Sequence, residues 1–554
     1  MRNLGMAVLF GHKLSKASNA LMDLLQRWRY PVYSGHPKVL TSMISKLNIQ
    51  KGDVVLECGA GNGVGTALLS RAVGSSGHLY SMDKLPESIK AVEKNLKRLQ
   101  DFHHLGSGAD LPKNVTLINS DLQDIGDLVD LPSKFDLIFL DITHPATKLK
   151  ILTQRLHTGK CLAVYLPSVN RVVELLETIK QLSLPMVLEG VWEESVNVIN
   201  IGMQSSGRNS AHGIEENQGF ITDDVKKLQY VLKSSYRDEM TTAFLAKFRK
   251  IQKDSDLGNA SEVLTHENFL YGDHVMLTPA QQSKKGRHRS VVVKLENGEK
   301  FVNEWGAISH EEIAESSPGG LLKTSVGQAV YLTQPTFLDY VNYKVQITQK
   351  LSSFSPRFHH LLSLSTSIGY GSRVLEISSM GTSLTYHLSE TVGDEGRVYS
   401  FSEDKTVIKE LEESWGYTDL RKNNDSFIDN VIYLEADDLS CKESRVSVNA
   451  VVLMPMLYEE VDTYINYGLN FLKSGNIISI LCSNLEHVFN ILKNSSVKCG
   501  ELIPKMIYED KDRPWVVKPP GREPENEGES LYYVCRPKHG ESCPTGYIVV
   551  LVRR

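Results

Sequence analysis

The sequence predicts an α/β fold: two doubly wound parallel-sheet units with a small all-β segment between them. Three observations lead there. One is an internal repeat. Another is the alternation, within each copy, of short β-rich apolar runs with amphipathic stretches. The third is a run of strand-like segments and turn signals between the copies. At 554 residues the chain is also too long for one ordinary core, and domain sizes suggest about three or four.

The repeat is read by aligning the chain with itself. Near residue 50 it runs KGDVVLECGAGNG, GHLYSMD, NVTLINSDLQD, FDLIFLD and GKCLAVYLPSVNRVVELL. Near residue 370 it runs GSRVLEISSMGTS, GRVYSFSED, NVIYLEADDLS, VNAVVLMP and GNIISILCSNLEHVFNIL. Glu57 pairs with Glu376, Asp121 with Asp437 and Gly159 with Gly475, at offsets of 319, 316 and 316. Each copy ends in a strand-like segment, MTTAFLAKFRK at 240–250 and PTGYIVVLVRR at 544–554. The units therefore span 30–251 and 346–554.

Taken in order, residues 1–29 carry Arg2, Lys13, Lys16, Arg27 and Arg29 against a single acid, Asp23. Leu14, Leu21, Leu24 and Leu25 recur there at helical spacing. A mitochondrial transit segment has this pattern, and so has a basic amphipathic helix packed on the domain; a missing upstream domain is a third reading. Mitochondrial residence is the expectation, with nucleus or cytoplasm as alternatives. In the first unit Val54–Leu56, His78–Met82, Val115–Asn119, Leu137–Leu140 and Cys161–Tyr165 read as strands, and Ser88–Leu99 and Val169–Leu182 as helices. This alternation argues a Rossmann-like parallel sheet covered on both faces. Residues 204–228 are polar and rich in Gly, Ser and Asn, which suits a flexible insertion. Residues 262–345 read as the small β-domain, with Trp305 and Tyr331 in its core.

Composition excludes several function classes. The chain is 41% hydrophobic and 23% charged, with a formal net charge of −5, so bulk charge does not advertise nucleic acid. No apolar run approaches the roughly 20 residues of a membrane helix, and no membrane partner is expected. The seven cysteines form no CxxC or Cys/His cluster with zinc spacing, so no metal is expected. Cys58, Cys161 and Cys482 fall in core strands or the turns after them.

The chemistry concentrates at Val54–Gly63. A strand runs into Glu57-Cys58-Gly59-Ala60-Gly61-Asn62-Gly63 and then a helix. Glycines there let the backbone take positive φ and approach a ligand, and the helix start offers free N–H groups. Alone, such a turn is shared by many nucleotide-binding folds. The second strand ends in Asp83, where a carboxylate can accept both hydroxyls of a ribose. NAD sites use the same device, so Asp83 does not decide between NAD and another adenosyl cofactor. The third strand ends in Ser120-Asp121, placed to meet an adenine edge, and the fourth in Asp141. Ligands of such sheets bind at the carboxyl ends of the strands.

LECGAGNG, AVGSSGHLYSMD, FLDITHP and CLAVYLPSVNRVVELLE together resemble the tRNA adenine-N1 methyltransferase family, a class I S-adenosylmethionine-dependent family that makes 1-methyladenosine in the tRNA T-loop. Tyr165-Leu166-Pro167 with the helix after it is more specific than the glycine loop. GDHVML, EWGAISHEEI and LLKTSVGQAVYLTQPTFLDYV resemble the family's β-domain. The resemblance covers nearly all of 30–554 and is nearest to the mitochondrial type. It implies S-adenosylmethionine as cofactor and tRNA as partner. Glu57, Gly59, Gly61 and Gly63, with Asn62, would line the methionine and ribose. Asp83 would hold the ribose diol, and Asp121 with Leu122 the adenine. Asp141 matches the acid that opens the family's LD-x-x-x-P stretch, near cofactor and target base, as the catalytic residue. His144-Pro145 departs from the family's residues there. The family's tetramers imply a dimer of these tandem chains. GRHR at 286–289 after Lys284 and Lys285, and the basic residues of 247–253, would meet RNA phosphates or be solvated turns.

The second unit reads as disarmed. Gly59, Gly61 and Gly63 align with Ser378, Met380 and Thr382, Asp83 with Ser402 beside Glu403, and Asp141 with Met454. Glu376 and Asp437 remain. A degenerate copy kept for assembly and RNA binding is the expectation. The competing readings are a non-catalytic RNA scaffold, a methyltransferase for another RNA, protein or small molecule, and an NAD-dependent oxidoreductase.

Overall fold

The structure is a computed structural model. It describes residues 37–107, 111–126, 128, 131–204, 229–234, 243–252, 268–279, 290–336, 339, 343, 356–378, 382–401, 430–434, 447–454, 461–518, 534–537 and 546–554. The expected N-terminal helix or transit segment, the 204–228 insertion past Gln204, the cluster at 284–289, and Met380, Ser402, Glu403 and Asp437 lie outside the described residues.

In the front half α1 (Pro37–Ser45), β1 (Val54–Cys58), α2 (Val64–Val73), β2 (His78–Asp83), α3 (Pro86–Ser107) and β3 (Val115–Asn119) come first. They are followed by β4 (Phe135–Leu140), α4 (Leu149–Gln154), β5 (Leu156–Leu166), α5 (Asn170–Gln181), β6 (Met186–Gln204), β7 (Gln229–Ser234) and β8 (Ala243–Lys250). The strand order is β3-β2-β1-β4-β5-β8-β6. The first five strands are mutually parallel, and β8 runs antiparallel to β5 and β6. Every expected strand is present, most of them longer than the apolar run that marked them. Apolar runs mark only the buried middle of a strand; the ladder continues into polar flanks.

The segment between the copies holds β9 (His274–Pro279), β10 (Val291–Lys294), β11 (Lys300–Asn303), β12 (Gly306–Ser309), α6 (His310–Ala314), β13 (Leu321–Lys323) and β14 (Ala329–Thr333). A four-stranded antiparallel sheet, β10-β9-β14-β13, and the hairpin β11-β12 enclose a core of their own with Val275, Leu277, Trp305 and Val330. Trp305 and Tyr331 are buried, as expected. This segment leans on the front half. Gln252 N donates to Gly319 O at 2.9 Å, and a Cβ on Gly319 would lie 2.7 Å from Gly159 N. Backbone meets backbone there, which only glycine permits.

Beneath that contact the basic residues of 247–250 are interior, which corrects their reading as RNA-facing. Lys247 Nζ lies 3.1 Å from Glu189, and Arg249 pairs with the same carboxylate. Arg249 also donates to Gly159 O, and Lys250 to Leu156 O. Burial alone would raise the Glu189 carboxyl, but Arg249 and Lys247 hold it down to about 2. Both faces of β8 are covered, and a charge placed there needs a partner.

The rear half repeats the plan: α7 (Pro356–Ser365), β15 (Arg373–Ser378), α8 (Thr382–Val392), β16 (Arg397–Phe401), β17 (Val431–Leu434), β18 (Val448–Met454) and α9 (Val461–Phe471). Then come β19 (Leu472–Cys482), α10 (Leu485–Leu492), α11 (Ser495–Lys498), β20 (Leu502–Lys518), β21 (Val534–Pro537) and β22 (Gly546–Arg553). The order is β17-β16-β15-β18-β19-β22-β20, the front order again.

The two sheets are not separate. β6 and β20 pair antiparallel from Ile199↔Ile507 to Val191↔Trp515, making one 16-stranded sheet about a pseudo-two-fold near Ser195 and Lys511. The all-β segment takes no part in that sheet. An edge strand left by each half finds its partner in the other. One core crosses the junction, with Leu40, Met43, Leu245, Leu362, Leu388, Tyr508 and Ile548 all buried. Cys58, Cys161 and Cys482 are buried thiols. No described helix is long and apolar enough to cross a membrane.

Candidate cofactor and base site

The carboxyl ends of β1, β2, β3 and β4 bring the expected residues together. The parallel registers set Glu57 beside Ser81, Cys58 between Met82 and Leu140, and Asp83 beside Asn119. Gly59, Gly61 and Gly63 all take positive φ, at 97°, 54° and 88°. Gly59 N donates to Met82 O at 2.9 Å, which turns the chain sharply out of β1. A Cβ on Gly59 would stand 2.0 Å from the Asp141 carbonyl oxygen, so any side chain there would collide with main chain. Gly63 is the left-handed N-cap of α2.

Asp83 is buried and sits under this turn. Its Oδ2 accepts from Gly61 N at 3.0 Å and its Oδ1 from Leu85 N at 2.9 Å. Each oxygen keeps a second lone pair for a hydroxyl. Asn62 Oδ1 accepts from Val64 N, and Asn95 donates to Asn62 O at 2.9 Å, pinning the loop to α3. Asp121 is half-buried at the end of β3. Its Oδ1 accepts from Gln123 N at 3.0 Å and lies 3.6 Å from Lys148. The Gln123 N–H above all, then Lys148, holds its carboxyl below the ordinary value despite some desolvation. The Leu122 side chain is buried in the core against β4 and α4 residues.

Glu57 lies beneath the loop rather than in the cleft, with 1% of its surface exposed. Its Oε2 accepts from Thr66 Oγ1 and Ser81 Oγ, each at 2.6 Å. Burial pushes the carboxyl up to about 8, the two hydroxyls oppose that, and Asp141 and Asp83 raise it further. Glu57 thus fixes the relation of loop, α2 and β2. Thr66 and Ser81 were missed in the sequence, since a lone hydroxyl in a helix or strand carries no signal. The repeat could have found them: Thr385 and Ser400 stand at the same 319-residue offset as Glu376.

Asp141 follows β4, its N–H donating to Cys58 O at 2.9 Å. It is half-buried and close enough to Tyr165, at the end of β5, to join burial in raising that phenol to about 12. His144 is exposed and precedes a short turn at Pro145–Lys148. The cleft is a bare backbone turn with a diol-accepting carboxylate on one side and an acid with a tyrosine on the other. Such a turn can take a nucleoside close to the main chain, and the second acid can face a reacting base. Among the described residues no group of His, Cys, Asp and Glu could hold a metal.

Residues 36–270 match the family model described as tRNA methyltransferase complex GCD14 subunit. Over that span the chain is similar to this tRNA methyltransferase family. It is similar to the tRNA (adenine(57)-N(1)/adenine(58)-N(1))-methyltransferase TrmI of Methanocaldococcus jannaschii, 26% identical over 232 residues, covering 38% of this chain and 78% of that protein. It is likewise similar to the tRNA (adenine(58)-N(1))-methyltransferase TrmI of Thermus thermophilus, 27% identical over 190 residues, covering 33% and 68%. Among solved structures, a SAM-dependent O-methyltransferase of Thermotoga maritima covers 53% of this chain and 97% of its own at a TM-score of 0.41 and 19% identity. The family span includes every site residue named above and ends before β9.

Proposed function

We propose that the chain transfers the methyl group of S-adenosylmethionine to N1 of an adenosine in the tRNA T-loop, and that the front half alone does so. The observation that carries this reading is the open turn at Gly59–Gly63 with Asp83 and Asp141 at its flanks, within a span of the tRNA methyltransferase family. The domains in this reading are a catalytic unit at 30–251, a small β-domain at 262–345 that contacts RNA, and a degenerate unit at 346–554. Two chains would supply the four units of an assembly.

The residues fit the cofactor. Gly59, Gly61 and Gly63 leave backbone bare where the methionine and ribose would rest, Asp83 keeps lone pairs for the diol, and Asp121 stands where the adenine edge would reach. When bound, the sulfonium supplies an already activated methyl group, so the protein's work is alignment for in-line displacement. Asp141 would accept a hydrogen bond from the 6-amino group of the target adenine. As N1 gains its methyl, positive charge spreads to that amino group, and a fixed carboxylate stabilises it. Glu57 keeps the loop in register from below and touches neither partner.

The test is incubation with labelled S-adenosylmethionine and unmodified tRNA, then nucleoside mass spectrometry. N1-methyladenosine is expected. Asp141→Ala should lower the rate by about 100-fold or more, in the range of a lost transition-state hydrogen bond, with S-adenosylhomocysteine binding retained. Methylation at another atom moves the substrate assignment; full activity of Asp141→Ala removes Asp141 from the chemistry.

A further inference from the structure

A second cavity, of about 570 Å³, lies between the halves at the end of the sheet opposite the glycine turn. Gln50 and Lys51, which line it, precede β1; Lys113 and Asn114 precede β3; Tyr370 precedes β15. The volume is that of a small-molecule site, for which roughly 300–1,000 Å³ is usual.

Its charge is one-sided. Lys51, Arg71, Lys97 and Lys113 line it, and Glu390 is the one acid among the described lining residues. Glu390 is engaged by Lys51 at 3.8 Å. Arg71 donates to Ile368 O at 2.5 Å, and no carboxylate among the described residues pairs with it. A guanidinium turned into a cavity without an acid is costly unless something anionic meets it.

The second observation is a histidine cluster. His387 Nε2 lies 2.8 Å from Ser363 Oγ, the His360 ring meets the His387 ring at 4.4 Å, and His359 lies 5.7 Å from it. His359 is 2% exposed, and its Nε2 has no hydrogen-bond partner among the described residues. Burial holds His359 to about 3 and His360 to about 4, so these rings enter as neutral donors and acceptors.

The repeat provides an internal control. At the 319-residue offset His359 corresponds to Leu40, His387 to Leu68, Ser363 to Ile44 and Thr391 to Ala72. Leu40 and Leu68 are buried core residues of the front half. The same helix pair therefore packs with leucine, and the fold does not require histidine at these positions. A polar cluster installed on one side of the pseudo-two-fold, facing uncompensated cationic charge, has the chemistry of a ligand site.

We propose that this cavity binds a small anion bearing phosphate or carboxylate groups, with Arg71 and Lys51 meeting the anionic groups and His359, His360 and His387 hydrogen-bonding its remaining polar atoms. Isothermal titration of the full chain at constant ionic strength tests this, with pyrophosphate and citrate as the two probes. Saturable binding of either at one per chain is expected, and the preferred probe tells phosphate from carboxylate. Arg71→Met should weaken it at least tenfold. The double variant His359→Leu/His387→Leu, which restores the front-half residues and so keeps a packing the fold already tolerates, should do the same. S-adenosylhomocysteine binding should be unchanged in the double variant. Absence of binding by both probes, or binding undiminished in the double variant, overturns the proposal.

Discussion

The front and rear halves repeat one strand order, and they differ at the connection that follows the first strand of each. Between β1 and α2 lie five residues, 59–63; between β15 and α8 lie three, 379–381. The change comes from both ends. Ser378, at the position of Gly59, stays in its strand, pairs with Met454, and donates its hydroxyl to Glu376 Oε1 at 3.0 Å. Thr382, at the position of Gly63, is already helical. Everything beneath is kept. Glu57, Thr66 and Ser81 form one buried hydrogen-bonded set, and Glu376 with Thr385 and Ser400 repeats it. Ser70 and Asn114 likewise recur as Ser389 and Asn430. The lesson is that the supporting layer belongs to the fold, whereas the bare turn can change without disturbing it.

The largest effect is expected at Gly59, where the halves differ most. Gly59→Ser imports the rear residue into the front turn. Its Cβ would meet the Asp141 carbonyl at 2.0 Å, at a φ of 97° that L residues rarely adopt. Positive-φ strain alone costs about 1–3 kcal/mol, and the collision forces the turn to move. S-adenosylhomocysteine affinity should fall by roughly 100-fold or more, about 2.7 kcal/mol, while far-UV dichroism stays native. The reciprocal Ser378→Gly should create no binding, because the connection remains short. Calorimetry on the wild type should therefore count one cofactor per chain; two would break the comparison.

A smaller difference should appear in pH dependence. Burial raises both buried glutamates, Glu57 to about 8 and Glu376 to about 7. Asp141 and Asp83 add to the first; no acid among the described residues raises the second. A folded carboxyl that keeps its proton above the unfolded value makes stability greatest at low pH. The contribution is present below the unfolded pKa of about 4.5 and is lost as pH rises through the folded one. Within that window each group lowers stability by up to about 1.4 kcal/mol per pH unit. Urea unfolding between pH 5 and 9 should flatten up to about pH 8 in Glu57→Gln, and only up to about pH 7 in Glu376→Gln. Equal windows would mean that the front acids do not reach Glu57.

Much of this was legible beforehand because the signals were periodic or local. Strand alternation and the glycine run identified β1 to β5 and the turn, and self-alignment found the rear copy and the loss of Gly59 and Asp141. The joining of the halves through β6 and β20 was not legible. Both strands carry mixed sequences such as Glu193-Glu194-Ser195 and Glu509-Asp510-Lys511, which read as exposed edges, and pairing between two edges leaves no pattern in either. Lys247 and Arg249 misled for a related reason. A basic residue looks solvated until its partner is known, and Glu189 lies about 60 residues away in the chain. The histidine cluster was invisible because its three members come from two helices.

The smallest effect should be the one that does not differ between halves. Asn114 Nδ2 donates to Ser70 O at 2.9 Å and Gly74 O at 2.6 Å, tying the end of α2 to the start of β3. Asn430 does the same with Ser389 O and Gly393 O, both at 3.0 Å. Replacing either by alanine strands two buried carbonyls and a serine hydroxyl, which should cost about 1–3 kcal/mol. Asn114→Ala and Asn430→Ala should therefore lower the urea midpoint by similar amounts, and neither should alter cofactor stoichiometry. A cost confined to the front variant would mean that the rear copy has begun to lose its supporting layer as well as its turn. The repeated hydrogen-bond pattern argues that it has not.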